Sequence, residues 1–430
     1  MSQSFKLAII GFGTVGEGVY RTIEKKAKKL EALLGARIEI PFVVVKNVDN
    51  RQVNGETTVT NNLDDVLNAQ IHAVVEATPD SETGYPYVTA LLRQGISVVS
   101  ANKELLAKHG DELHTLAEQN SCQLLFEAAV AGGIPLLNTL RHTLKTNTIN
   151  RLEGIVNGTS NFILTKMREE SSSFASSLKE AQEKGFAEAI PDKDIDGWDP
   201  YFKTNILSRW IYGVAPEWES NSPLGIRSVN IEDIKLVEKI TGRIKLVASL
   251  IKGNNKVSAS VQPSIVLREH PLFNVEGVNN GIHIEGSIVG SVLLQGPGAG
   301  RYPTSSAVIE DVVNLLMNEN ELNKLSAYEF TEHLFDSDEE LNHDEANKLW
   351  FLTGDDRLPF YISKSRLDVL LSINPINHRH GFAIKASREE IDALIAIDRL
   401  TGINVYPLLT DEKELLLNDS PVKKERTLTF

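Results

Sequence analysis

Over its first 150 residues the chain alternates short apolar runs with longer amphipathic stretches. Residues 7–10, 40–45, 73–75, 97–100 and 124–126 are mostly apolar, several rich in β-branched side chains, each bounded by polar or glycine residues. Runs of this length predict strands buried on both faces, as in a parallel sheet. Between them, residues 87–93, closed by Gly95, and residues 104–118 predict helices. Strands alternating with helices predict an α/β doubly wound parallel sheet for residues 1–150.

The pattern changes after residue 150. Residues 173–183 predict a polar helix stopped by Gly185, since glycine accepts the positive φ that ends a helix. Asn230 predicts the cap of a helix with Ile234, Val237 and Leu246 roughly on one face. Residues 257–261, 282–285 and 291–295 predict antiparallel strands, so residues 151–300 read as an α+β domain. The acid-rich stretch 329–356 predicts a boundary. Beyond it, residues 381–387, 388–401 and 403–409 predict strand, helix and strand, a small C-terminal α/β domain within 325–430 of no assigned role. All the motifs described below precede residue 325, so a chain cut there is expected to keep a folded, competent core.

Composition narrows the function classes. Apolar residues make up 41% and charged residues 24%, the balance of a globular protein with material for more than one core. The net charge of −14 repels phosphate backbones, so no nucleic-acid partner is expected. No apolar run reaches membrane-spanning length, and the first residues lack a small-residue cleavage site, so no membrane partner is expected. Cys122 is the only cysteine, which excludes an intrachain disulfide and fits the reducing cytoplasm. Cys122 itself reads as a small buried hydrophobe, and Trp350, Phe351, Phe360 and Tyr361 read as core. His378-Arg379-His380 has no Cys or second His pair close in sequence and reads as a loop, not a metal site.

Gly11-Phe12-Gly13-Thr14-Val15-Gly16 follows the first apolar run and opens a helical stretch through Val19 and Ile23. In that setting, G-x-G-x-x-G predicts a Rossmann-type dinucleotide site. Gly11 makes the tight turn, Gly13 admits the pyrophosphate, and Gly16 lets helix and strand pack, with Thr14 and Val15 at the helix N-terminus facing the phosphates. The end of the second strand reads Val45-Lys46-Asn47-Val48, with Arg51 nearby and Asp49 only later. A cation there favours the 2′-phosphate, so the cofactor is NADP or NAD, with the balance toward NADP through Lys46. The alternative leaves Lys46 in solvent.

Residues 187–203 combine Glu188, Asp194, Asp199 and Lys203. Pro200 suits the first turn of a helix, which would put Asp199 at its start and Lys203 one turn on. Oxidation of an alcohol requires removal of the hydroxyl proton as hydride leaves, and a buried lysine can take it. Carboxylates can hold a substrate ammonium. The same residues also suit a solvated loop followed by a surface ion pair.

Read together, the motifs resemble the homoserine dehydrogenase family in order and spacing. To the glycine loop are added residues 101–105, Ala-Asn-Lys-Glu-Leu, and residues 126–135, Phe-Glu-Ala-Ala-Val-Ala-Gly-Gly-Ile-Pro. Residues 154–164 follow, Gly-Ile-Val-Asn-Gly-Thr-Ser-Asn-Phe-Ile-Leu, then the carboxylate stretch, Val261-Gln262-Pro263, His270-Pro271-Leu272 and Gly296-Pro297-Gly298-Ala299-Gly300. The likeness runs from about residue 5 to 320. It implies NAD(P)-dependent interconversion of L-homoserine and L-aspartate 4-semialdehyde, in threonine and methionine biosynthesis, by a homodimer or homotetramer. Residues 151–300 would bind substrate and dimerise, and about 300–322 would complete the dinucleotide-binding domain. The resemblance makes Lys103 and Lys203 proton carriers, with Asp199 as orienting carboxylate. It makes Glu188, Asp194, Gly158 and Thr159 substrate contacts, and adds Ala101, Lys103 and Gly300 to the cofactor set. Backbone carbonyls of Glu127, Val130, Gly132 and Ile134 match a site for a monovalent cation such as Na⁺.

The chain departs from the family pattern at Ala189-Ile190-Pro191, where Asp-Pro is usual, and at Pro200-Tyr201-Phe202, preceded by Trp198, where the helix face is usually small. Two alternatives follow: a related dehydrogenase with a different small substrate, and a nucleotide-sensing paralogue without catalysis. The retained lysines and carboxylates argue against the latter.

Overall fold

The computed structural model describes residues 4–220, 223–254, 256–318, 348–365, 367–396, 402–410 and 412–417. Among these, the residues of 1–148, 202–215 and 296–336 form one compact unit, and those of 149–201, 216–295 and 337–430 a second.

The first unit is built on six parallel strands: β1 (Ser4–Ile10), β2 (Arg37–Val44), β3 (Thr58–Thr60), β4 (Ala73–Glu76), β5 (Ser97–Ser100) and β6 (Leu124–Leu125). Their order is β3-β2-β1-β4-β5-β6. The five apolar runs all became strands. β3 was not anticipated, because Thr-Val-Thr carries neither the length nor the apolar content that marks a strand. Val74, Val75, Val98 and Val99 are fully buried, as the parallel arrangement requires. Ile10 pairs with both Val44 and Glu76, so the chain leaves β1 where the strand order reverses. Ligands of doubly wound sheets bind at that switch point.

Helix Arg301–Asn318 packs in this unit on helix Thr14–Leu34. A Cβ on Gly18 would lie 2.4 Å from Ser305 Oγ, so the glycine permits the close approach. Likewise a Cβ on Gly132 (φ +60°) would meet Gly298 O at 2.1 Å, and Gly133 N–H donates to Pro297 O at 3.1 Å. The glycines at 132–133 and 296–300 thus let two backbones touch.

The second unit carries a mixed sheet of β7 (Ile149–Ile155), β8 (Glu217–Trp218), β9 (Gly242–Lys252), β10 (Val257–Leu267), β11 (Asn279–Gly286), β12 (Gly290–Pro297), β13 (Lys348–Gly354), β14 (Asp368–Ile376), β15 (Arg379–Ala386) and β16 (Asn404–Leu409). The order is β12-β11-β7-β9-β10-β16-β13-β15-β14, with β8 beside β10. Helix Ile231–Glu238 is capped by Asn230, whose Oδ1 accepts from Asp233 N–H at 2.8 Å. It stops short of Leu246, which lies on β9; the chain turns at Thr241 (φ +56°), so the expected third member of the helix face belongs to a strand.

The C-terminal segment joins the sheet of the second unit. β16 pairs in parallel with β10, Ile265 opposite Leu408 and Val266 opposite Leu409. The buried carboxylate of Asp233 accepts from Tyr406 Oη at 2.7 Å and Asn404 Nδ2 at 2.6 Å, and is paired with Arg379. A cut near residue 325 would strip all three partners from a buried charge, which costs several kcal/mol. The acid-rich boundary falls largely on 319–347, outside the described residues. Trp350 and Phe351 are core as expected, but Phe360 is exposed on its short helix. Cys122 is half-buried, and burial pushes its thiol up to about 11, which suits an inert side chain.

Candidate active site

The glycine loop is shaped for a dinucleotide. Gly11 adopts φ +87°, and its N–H donates to Val44 O at 2.9 Å; a Cβ there would lie 2.4 Å from Ala77 O. A Cβ on Gly16 would lie 1.9 Å from Gly11 O, so helix and loop close only around glycine. Gly13 differs: nothing stands within 4 Å of its missing Cβ. Its backbone is open at the N-terminus of a 21-residue helix, whose first residue is Thr14. The first and third glycines make the loop and the middle one leaves room for a phosphate.

At the rim of this loop Lys46 is exposed. Arg51, nearby in sequence, reaches back across it: its Nε donates to Asn47 O at 3.3 Å and its NH1 to Phe12 O at 3.4 Å. Arg51 is thus held as a cation beside the glycine loop.

Asn102 caps helix Lys103–Gln119, accepting from Leu105 N–H at 3.1 Å, and donates to Asp80 O at 2.8 Å. Lys103 is thereby fixed as the first residue of that helix, half-buried. Ala101 N–H donates to Glu76 O at 3.0 Å. Glu76, at the end of β4, is wholly buried and accepts from Ser100 Oγ at 2.6 Å and from both the N–H and hydroxyl of Thr78. Burial raises its pKa. Nothing in the local sequence marks it, because a single Glu closing an apolar run looks like a strand boundary.

In the second unit, Asn157 is the pivot. It caps helix Gly158–Glu170 by accepting from Ser160 N–H at 2.8 Å. Its Nδ2 donates to Asp194 Oδ1 at 2.8 Å and to Asp199 Oδ2 at 2.9 Å. One amide thus gathers two carboxylates 37 and 42 residues away. Asp194 lies on the short helix Asp192–Ile195; Asp199 is 3% exposed near the start of helix Trp198–Tyr212. Lys203, one turn along that helix, is 7% exposed. The solvated-surface alternative for Asp199 and Lys203 is excluded by this burial. Asn157 was missed as a site residue: Asn before Gly-Thr-Ser signals a helix cap, but its second duty is long-range.

The remaining expected substrate contacts divide. A Cβ on Gly158 would lie 2.7 Å from Val278 O, so that position is held to glycine by packing. Thr159 is buried, and its hydroxyl donates to Phe186 O at 2.6 Å, fastening the loop that leads to Glu188. Glu188 is exposed and is not joined to the Asn157 network; its backbone O accepts from Gln182 Nε2 at 3.1 Å. Ile190 is 78% exposed, Trp198 is exposed, and Tyr201 stacks on Trp218 with ring centroids 4.1 Å apart.

The carboxylate of Glu127 accepts from Leu137 N–H at 2.9 Å and Asn138 N–H at 2.6 Å, and Ile134 O accepts from Leu136 N–H at 2.8 Å. Gly300, exposed with φ +117°, begins the turn into helix Arg301–Asn318. The His378-Arg379-His380 triplet splits: both histidines bond Asp356, at 3.0 and 2.9 Å, while Arg379 pairs with Asp233. Glu153, His270 and His283 form another cluster with ligand-type atoms. There, His270 Nδ1 accepts from Leu272 N–H at 3.2 Å, so Nε2 carries the proton donated to Glu153 at 3.0 Å. That bonding occupies the nitrogen a metal would need.

Two family models match the chain: one described as homoserine dehydrogenase over residues 135–313, and one described as homoserine dehydrogenase, NAD binding domain, over residues 11–127. The homoserine dehydrogenase of Lactococcus lactis is 35% identical over 354 residues, covering 81% of this chain and 82% of its own. That of Bacillus subtilis is 36% identical over 319 residues, 74% of each chain. Among solved structures, a homoserine dehydrogenase from Thiobacillus denitrificans superposes with a TM-score of 0.81 at 29% identity, covering 94% of this chain and 98% of that one. A hyperthermophilic archaeal homoserine dehydrogenase in complex with NADPH gives 0.62 at 30% identity, covering 74% and 98%. The kinship spans both the glycine loop and the Asn157 network, and the chain belongs to the homoserine dehydrogenase family of NAD(P)-dependent oxidoreductases.

Proposed function

We propose that Asp194 and Asp199, gathered by Asn157, hold the α-ammonium of L-homoserine, and that Lys203 takes the proton of its hydroxyl. NAD(P)⁺, when bound, would supply the hydride acceptor for C4. The O–H electron pair becomes the second bond of the C4 carbonyl as the proton passes to Lys203, and L-aspartate 4-semialdehyde results. A proton carrier of this kind contributes on the order of 10²–10⁴-fold. Lys103, fixed by the Asn102 cap, is the second lysine of the proton path. The observation that carries this reading is the burial of Asp199 and Lys203 one turn apart on one helix. Buried ionisable side chains of this kind mark a candidate functional site. Glu188, exposed, contributes only from the loop rim.

NADP is the preferred cofactor in this reading, held at its 2′-phosphate by Lys46 and Arg51. The chain acts in the cytoplasm as a homodimer. The edge strand β12 supports that state, because Leu293 upon it and Ile288 and Val289 just before it are exposed. No step passes through a monovalent cation.

The ammonium assignment is tested with 4-hydroxybutyrate, which keeps the reacting alcohol and lacks the amine. Reduced-nicotinamide absorbance should show kcat/KM at least about a hundredfold below that of L-homoserine, because the ammonium contact with Asp194 and Asp199 is lost. Comparable efficiencies would remove Asp194 and Asp199 from ammonium binding.

A further inference from the structure

Strand β4 ends on a carboxylate that the proposed reaction does not use. Glu76 is wholly buried, and the groups bonded to its carboxylate are neutral. Oε1 accepts from Thr78 N–H at 2.8 Å and from the Thr78 hydroxyl, and Oε2 accepts from Ser100 Oγ at 2.6 Å. Asn102 Nδ2 adds a longer contact to Oε1 at 3.4 Å. Helix Ser81–Arg93 lies against the cluster through Gly84. A Cβ on Gly84 would lie 2.8 Å from Thr78 Oγ1, 2.9 Å from Asn102 Nδ2 and 3.1 Å from Glu76 Oε1, so glycine lets that backbone rest directly on these side chains.

The partners of Glu76 belong to the two turns that follow β4 and β5. Glu76 and Ser100 are register partners at the ends of those strands. Ala101 N–H donates to Glu76 O at 3.0 Å. Ser100 Oγ, while donating to Glu76, accepts from Asn102 N–H at 3.1 Å. The Thr78 hydroxyl does the same for the side chain: it donates to Glu76 and accepts from Asn102 Nδ2 at 3.1 Å. The backbone N–H and the amide of Asn102 are thus both referred to one carboxylate. Asn102 Oδ1 caps Leu105 N–H, and Lys103 leaves the backbone at the next residue.

We propose that Glu76 is a positioning residue for the reaction: through Ser100 and Asn102 it sets where the amine of Lys103 stands. The inference rests on the role proposed for Lys103 in the proton path. Glu76 supplies geometry, two acceptors fixed at one point between two turns. Misplacing a reacting group by 1 Å can cost about a hundredfold. Alanine at 76 removes both acceptors and frees the turn. Glutamine keeps the shape: its Oε1 accepts from Thr78 N–H, and its NH₂ faces Ser100 Oγ, a hydroxyl that can accept in place of donating.

The test is a double-mutant cycle in the full-length chain, with kcat for homoserine oxidation, cofactor Kd and Tm measured for each variant. K103M and E76A should each lower kcat at least about tenfold, with cofactor Kd within about threefold. E76Q should recover kcat to within about threefold of wild type. In the K103M background, E76A should cost less than about twofold more, because a residue acting through Lys103 has nothing left to place. L113A opens a cavity nearly three turns along the same helix, where Leu113 is fully buried; it should lower Tm while kcat holds within about twofold. Should E76A fail to fold, S100A removes one oxygen from the same chain of bonds and enters the cycle in its place, with the same result expected. Losses that multiply in the double variant, an unchanged kcat in E76A, or an E76Q enzyme as slow as E76A would overturn the inference. A K103M enzyme that keeps most of the wild-type kcat would indict the role of Lys103 itself, and the inference would fall with it.

Discussion

Asn157 Nδ2 donates to Asp199 Oδ2 at 2.9 Å while the same side chain's Oδ1 caps the helix that begins at Gly158. The two duties can be separated. Asn157→Asp keeps an acceptor for Ser160 N–H but replaces a donor by a third carboxylate. Its homoserine KM should rise at least tenfold, since a charge-assisted hydrogen bond contributes about 1.5–3 kcal/mol. Cofactor Kd should stay within about twofold. A matched rise in both would show that Asn157 only supports the fold.

The glycine loop yields a paired prediction. Gly13→Val meets nothing within 4 Å and sits at φ −89°, so Tm should hold while cofactor binding is lost to calorimetry. Gly16→Val places its Cβ 1.9 Å from Gly11 O and should lower Tm by many degrees. Retained cofactor affinity in Gly13→Val would remove the pyrophosphate from this loop.

At the ribose, Lys46→Glu and Arg51→Glu should each weaken NADP more than NAD, by about tenfold to a hundredfold in the ratio of Kd values. Added salt should also weaken NADP more, because Lys46 is exposed. Equal losses for both cofactors would end the case for a 2′-phosphate contact.

Asp311 gives a pH dependence. On helix Arg301–Asn318, it accepts from Glu127 N–H at 2.8 Å, and burial, with the nearby Glu127 carboxylate adding to it, pushes it up to about 7. A raised carboxyl favours the folded state fully below its unfolded pKa near 3.8, and that advantage is lost as pH rises through 7. Asp311→Asn cannot ionise. Its stability relative to wild type should therefore increase between pH 5 and 8, by roughly 3 kcal/mol. Unfolding midpoints that differ equally at both pH values would contradict this.

Much of the cofactor half was legible because apolar run length and the glycine loop are local properties. Strands β1, β2, β4, β5 and β6 and the roles of Gly11, Gly13 and Gly16 follow from them. The substrate half was legible only in part. Pro200 located the helix start, but Asn157 reaches Asp194 and Asp199 across 37 and 42 residues, which no local pattern encodes. Leu246 fell at helical spacing yet joined a strand, because Thr241 turns the chain first. The C-terminal segment looked separable from composition. Its attachment through Tyr406 and Arg379 to Asp233 depends on partners 146 and 173 residues distant.

The most direct test of the account is the rate of NADP⁺ reduction by L-homoserine in wild type and Lys203→Met, at saturating substrate and with cofactor Kd measured alongside. Methionine keeps the buried chain and removes the proton acceptor. The account predicts kcat lower by about 10²–10⁴-fold with cofactor Kd within about twofold. A Lys203→Met enzyme that keeps most of the wild-type kcat would contradict it.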